Sequence, residues 1–155
     1  MLHLAGPGSQ TTMADRAAGY REAMASANLR AEVVDSDGTP ENGYALLKAR
    51  LDGTGLMPDS IFAATDRLAI AAMAVAADLH LYVPRELAIV GFDDIALAAQ
   101  LRPSLSTMSQ PAYDLGTVAI DMATRLAAGE PVHPVTLGVR LAPRESTLGP
   151  GGRYA

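Results

Sequence analysis

The chain has 155 residues, 49% hydrophobic and 19% charged, with no cysteine and a formal net charge of −5. This length and balance suit one domain with a sizeable core and exclude global disorder. An acidic chain without a basic stripe is poorly equipped to hold nucleic acid by itself, and a chain without cysteine has no disulfide scaffold, thiolate zinc site or cysteine nucleophile.

No run of about 18 apolar residues is present, so no membrane span is predicted. The first segment, MLHLAGPGSQ, lacks the basic flank and long apolar core of a secretory signal. It reads as a strand that begins abruptly, as though cut from a longer chain. The missing cysteines and signal fit a cytoplasmic location.

LHLA (2–5) is the first strand candidate. Residues 11–28 follow as an amphipathic helix, with Met13, Ala17, Tyr20, Met24 and Ala27 at spacings of four and three. AEVV (31–34) is the next strand, and residues 40–51 form a helix with Pro40 in its first turn and Tyr44, Leu47 and Leu51 on one face. SIFAA (60–64) is a strand. Residues 66–80 form a helix with Asp66 as its expected N-cap. Two adjacent apolar stripes on it, Leu68/Ala72/Val75/Leu79 and Ala69/Met73/Ala76, suggest burial on two sides, against its own core or a partner subunit. LAIVGF (87–92) and SLSTM (104–108) are strands. Residues 112–129 form a helix with Leu115, Ala119, Met122 and Leu126 expected inward and Gly129 as the stop. A last strand is expected over 134–144, then a frayed tail.

This alternation predicts an α/β fold, a doubly wound parallel sheet with helices on both faces. In such sheets ligands sit outside the carboxyl ends of the strands. Here those ends read GPGSQT (6–11), DSDGT (35–39), TDR (65–67) and FDD (92–94), so polar and glycine residues gather on one edge. Asp37, Gly38 and Phe92 fall on its rim. GPGSQT resembles the start of a dinucleotide loop, but Thr11 replaces the third glycine and Pro7 removes a donor. An ordinary strand-to-helix turn accounts for it better.

Arg16 lies at the same edge, either as a solvated surface residue or as a guanidinium that grips a ligand. Asp93 and Asp94 would point to opposite sides of a continuing strand, which makes joint chelation awkward. His3, His80 and His133 are scattered singly, so no metal site is expected. One aspartate can cap the short segment 95–100 while the other accepts hydrogen bonds from a polyol. Nothing nominates a nucleophile or general base, so neither an enzyme nor a cofactor is expected.

Several separate motifs, in order and correctly spaced, carry a resemblance: LAGP, DRAAGYREAM, TDRLAIAAM, VPRELAIVGFDDI, PSLSTMSQ and RESTLGP. Residues 2 to about 150 are similar to the lactose-repressor/galactose-repressor family of bacterial transcription regulators. The resemblance implies one lobe of a type I periplasmic-binding-protein-like fold. Residues 1–110 would be the carboxyl-terminal effector-binding lobe. Residues 111–130 would be a crossover helix belonging to an absent lobe, 131–148 a returning strand and 149–155 a disordered tail. It further implies Arg16, Thr65, Asp93 and Gln110 as ligand-binding residues, which leaves Asp94 as the expected cap of 95–100, and a small-molecule effector, most readily a sugar. DNA would be bound only through an amino-terminal domain outside this sequence. A homodimer is implied, with exchange of helix 112–129 between chains as one outlet for its apolar face. Gly38 stands where the family often has an aromatic that stacks on the ligand. A transport solute-binding protein is the alternative with the same fold; a nucleotide-dependent enzyme is a more distant one.

Overall fold

Apolar strand runs alternating with helix-period segments fold as the pattern requires. The computed structural model describes residues 1–53 and 55–149. In chain order the elements are β1 (Leu2–Ala5), α1 (Thr11–Ser26), β2 (Val33–Asp35), α2 (Pro40–Leu51), β3 (Ser60–Ala63) and α3 (Asp66–Asp78). Then come β4 (Ala88–Asp93), a 3-10 turn (Ala96–Ala99), β5 (Ser106–Ser109), α4 (Ala112–Ala127), β6 (Arg140–Ala142) and α5 (Glu145–Leu148).

The strands form one sheet in the order β2-β1-β3-β4-β5-β6. β1 to β5 run parallel, and β6 pairs antiparallel with β5. β1 pairs with β2 on one side and with β3 on the other, so the winding direction reverses between β1 and β3. That reversal opens a crevice at the carboxyl ends of these strands.

Strand alternation sorts side chains between two layers. Leu2, Leu4, Ile61 and Ile89 are fully buried and join Leu47, Leu68, Ala72 and Val75 of α2 and α3 in the main core. Burying each large member contributes roughly 1.5–3 kcal/mol. Gly43 lets α2 close on this layer, because a Cβ there would collide with Leu68. On the opposite face, His3 stacks on Phe62 and meets Tyr20 of α1. The Tyr20 hydroxyl lies 2.9 Å from the Met1 carbonyl, to which it donates, and accepts from the Glu32 amide at 3.0 Å, tying α1 to the start of the sheet.

Four expectations are corrected. The strand expected over 134–144 is confined to Arg140–Ala142. Pro134 and Gly138 interrupt the segment, and an edge strand has one partner only. Asp66 is not the cap of α3. Thr65 is, in extended conformation, with Oγ1 accepting from the Leu68 amide at 3.2 Å. Asp66 is the first helical residue and is fully buried. No residue of α4 is buried: Leu115 and Leu126 of its expected inward stripe are exposed, as are Tyr113 and Ile120, at 86% and 70%. Among the described residues nothing covers either of these two faces. The fourth concerns Asp94 and is set out with the site below. The expected disordered tail, 149–155, lies outside the described residues apart from Gly149.

Candidate functional site

α1 starts just after the β1 turn, so its first turns stand over the crevice. The turn is closed by the Gln10 amide donating to the Pro7 carbonyl at 3.0 Å, which commits one donor that a phosphate loop would need free. Arg16 points across the reversal. Its Nη1 donates to the Ala64 carbonyl, just beyond β3, at 2.6 Å. Its guanidinium carbon lies 3.8 Å from the centroid of the Phe92 ring. Its Nη2 is 3.5 Å from Asp93 Oδ1. Gln110, on the segment between β5 and α4, donates from Nε2 to the same Asp93 oxygen at 2.7 Å. Arg16, Phe92, Asp93 and Gln110 therefore meet, although they come from three different parts of the chain.

The geometry of Asp93 departs from simple strand alternation. Asp93 has φ 119° and Asp94 φ 58°, both in the half of the map that L-residues avoid. Alternation would send Phe92 and Asp93 to opposite faces, yet Arg16 touches both. The backbone turn at Asp93 is what brings its carboxylate over to the arginine. Burial pushes the Asp93 carboxyl above its ordinary range, against the pull of the Arg16 charge; Asp66 adds repulsion, and the Gln110 hydrogen bond opposes it. The side chain remains 30% exposed and that of Arg16 15%, so the pair is open to a ligand at the rim.

Asp94 does different work from that expected. The 3-10 turn has no side-chain cap. Asp94 Oδ1 instead receives Arg144 Nη2 at 2.6 Å, and this hydrogen bond holds its carboxyl below the ordinary range. Arg144 also donates from Nη1 to the Leu105 carbonyl at 2.8 Å, so the pair fastens the start of α5 to β4 and β5. The partners are 50 positions apart, which local pattern does not reveal.

The other expected residues lie near the edge but are engaged structurally. Thr65 caps α3 while its neighbour Ala64 receives Arg16. Asp37 Oδ1 accepts from the Thr39 amide and hydroxyl at 2.8 and 2.6 Å, which shapes the turn into α2. Gly38 has φ 87°, and a Cβ there would stand 3.0 Å from Pro7 Cδ, so the first two strand-to-helix turns touch. Among the described residues no cluster of three or more His, Asp or Glu could hold a metal ion. None of the described helices is long and apolar enough to cross a membrane.

A mostly parallel, doubly wound sheet with its reversal between β1 and β3 is the architecture of one lobe of a periplasmic-binding-protein-like fold. The chain belongs to the periplasmic binding protein-like domain family, whose model matches residues 1–147. It is 34% identical to the ribose operon repressor of Halalkalibacterium halodurans over 151 residues, covering 96% of this chain and 45% of that protein. It is 31% identical to the HTH-type transcriptional repressor PurR of Escherichia fergusonii over 146 residues, 91% of this chain and 42% of the repressor. Among solved structures it resembles the transcriptional regulator CelR–cellobiose complex, with TM-score 0.86 and 31% identity over 94% of this chain and 46% of that one. It also superimposes on a lac repressor dimer bound to operator and the anti-inducer ONPF, with TM-score 0.87 and 27% identity over 95% of this chain and 52% of that one. The resemblance to the lactose-repressor/galactose-repressor family is thus borne out, and the chain spans a little under half the length of these curated relatives.

Proposed function

We propose that this chain is the effector-binding and dimerisation portion of a cytoplasmic DNA-binding transcription regulator, and that its effector is a sugar or a close chemical relative. The observation that carries this reading is the meeting of Arg16, Asp93 and Gln110 beside Phe92 at the reversal of the sheet. A guanidinium fork and a carboxylate together match vicinal hydroxyls, donating to some oxygens and accepting from others. Thr65 sits beside them, with Asp37 and Gly38 on the rim. The repressor names of the relatives favour a regulator over a transport protein or an enzyme.

In this reading residues 1–110 form one lobe, and ligand bridges it to a second. The ligand shifts a dimer between DNA-competent and DNA-incompetent states through its differential affinity for the two. α4 is the element that packs on the second lobe. The dimer face lies along α3, where Ile70, Met73 and Ala74 line a groove with Leu81, Val83 and Leu101. The lac repressor dimer among the similar structures supports a second copy as its occupant.

The test uses the intact regulator, titrated calorimetrically with a panel of pentoses, hexoses and disaccharides, alongside Arg16→Ala and Asp93→Ala. A sugar of the panel should bind wild type, and both variants should lose induction while keeping DNA binding. Unchanged induction in both variants would remove these residues from the site.

A further inference from the structure

Asp66 has a fully buried carboxylate and, among the described residues, no cationic partner within ion-pair distance. A buried, unpaired charge is costly, and behind the Thr65 cap an uncharged residue would start the helix with only the small loss of a favourable dipole interaction. Burial raises the Asp66 carboxyl above its ordinary range, and the Asp94 charge raises it further, against hydrogen bonds from Thr107 and Ile95.

Those hydrogen bonds all lead to one place. Asp66 Oδ2 accepts from the Ile95 amide at 2.9 Å. Asp66 Oδ1 accepts from the Thr107 hydroxyl at 2.5 Å. Thr107 Oγ1 in turn accepts from the Asp94 amide at 3.3 Å. The two amides that follow Asp93 are therefore both tied to one carboxylate, one directly and one through a hydroxyl. They belong to the turn in which Asp93 and Asp94 carry positive φ. β4 leaves room for the arrangement: a Cβ on Gly91 would collide with Asp66 Oδ1.

We propose that Asp66 is a positioning residue for the ligand site: its carboxylate holds the Asp93–Ile95 turn in the conformation that presents Asp93 to Arg16, Gln110 and a bound effector. The proposal rests on reading Asp93 as a ligand group. It assigns to α3 a role beyond packing, because the start of that helix becomes the anchor of a site whose side chains come from other elements. Asn at this position preserves the anchor, since its Oδ1 accepts from Ile95 and its Nδ2 donates to Thr107. Ala abolishes it.

The experiment is NMR on the 155-residue chain without ligand. The signals read are the Gln110 side-chain amide, which reports the hydrogen bond to Asp93, and hydrogen exchange at the Asp94 and Ile95 amides. Asp66→Ala should move the Gln110 signal to that of a free glutamine and lower protection at Ile95 by roughly 100-fold or more. Asp66→Asn should restore both. Tyr44→Phe, which removes the hydrogen bond to Asp78 at the far end of α3 without touching the turn, should leave Gln110 in place. Wild-type signals in a folded Asp66→Ala chain would overturn the proposal, as would an equal Gln110 shift in Tyr44→Phe. Should Asp66→Ala not fold, Thr107→Val removes the hydroxyl relay alone. It should expose the Asp94 amide and shift Gln110, and unchanged signals there would be equally decisive against it. The sugar titration of the intact regulator is independent. Its failure would count against the effector reading while these signals still decide whether Asp66 holds the turn.

Discussion

Gly91 of β4 lies directly beneath the buried Asp66 carboxylate of α3. A Cβ added to Gly91 would collide with Asp66 Oδ1 and come within 3.2 Å of both Ala69 Cβ and Asp66 Cα. Two of the three neighbours are not flexible tips, so the helix has no cheap way to withdraw. Gly91→Ala should therefore lower unfolding stability by about 1–3 kcal/mol, as overpacking does. Gly116 in α4 is the matched control, because a Cβ there would meet nothing within 4 Å. Gly116→Ala should gain about 0.5–1 kcal/mol from helix propensity. Urea denaturation of both variants checks the pair, and a neutral Gly91→Ala would mean that α3 is not seated on β4 as described.

Much of this architecture is readable from residue pattern. The stripe Met13, Ala17, Tyr20, Met24 and Ala27 predicts the inward face of α1; Ala17, Tyr20 and Met24 are indeed buried, while Ala27, just past the helix end, is exposed. The crevice rule alone places Arg16 and Asp93 on one edge. What stays hidden depends on contacts between distant positions. Asp66 meets Thr107 across 41 positions and Asp94 meets Arg144 across 50. An acid at a helix start looks the same in sequence whether it caps the helix or turns inward. The positive φ of Asp93 is hidden for a similar reason, since strand propensity describes alternation and not the turn that breaks it. The useful signal for Asp66 is the threonine before it, which is itself a sufficient cap.

The Asp94–Arg144 pair should give a stability contribution with a definite pH window. The Asp94 carboxyl is held below its ordinary value by the Arg144 hydrogen bond. A depressed carboxylate contributes fully above its unfolded value of about 3.9 and loses that contribution as pH falls through the lower folded value. Both side chains are about a fifth exposed, which tempers the effect. Asp94→Asn should cost about 1–2 kcal/mol at pH 7, within the range for charge-assisted hydrogen bonds. The difference from wild type should hold steady between pH 7 and 5 and shrink below about pH 4. Denaturation curves at several pH values measure it, and a difference that grows toward low pH would contradict the assignment.

His3 should impose the opposite group chemistry in a different window. Its Nδ1–H donates to the Phe62 carbonyl at 2.8 Å, and its ring stacks on Phe62 with centroids 4.7 Å apart. Nε2 is buried and, among the described residues, has no partner, so a second proton has nowhere to go. Burial accordingly lowers the imidazole pKa, aided by the Arg21 charge and opposed by the Phe62 carbonyl and Asp35. Below about pH 6.5 the unfolded chain gains a proton that the folded chain refuses, so stability is full above that value and falls beneath it. Between pH 7.5 and 5.5 wild type should therefore lose more stability than His3→Phe. Equal losses in the two proteins would show that His3 titrates normally.

α4 offers a prediction about association, because its apolar faces have no cover among the described residues. Tyr113, Leu115, Ile120 and Leu126 are all exposed. Ile120 is 70% exposed, so removing it costs the folded chain almost no burial, whereas Leu68, fully buried, should cost about 2–5 kcal/mol as alanine. Tyr113 and Ile120 share one face of α4 and Leu115 and Leu126 another, and such exposed apolar faces drive self-association when their partner surface is missing. Ile120→Ser should leave the urea midpoint of the 155-residue chain within about 0.5 kcal/mol of wild type, as for a surface change. The same substitution should shift sedimentation toward monomer at high concentration. In the proposed full-length regulator, where a second lobe would cover α4, Ile120→Ser should instead cost on the order of 2 kcal/mol, the burial value of a large aliphatic side chain. Equal effects in the two contexts would mean that α4 stays exposed in the whole protein, and the crossover assignment of residues 111–130 would fall with it.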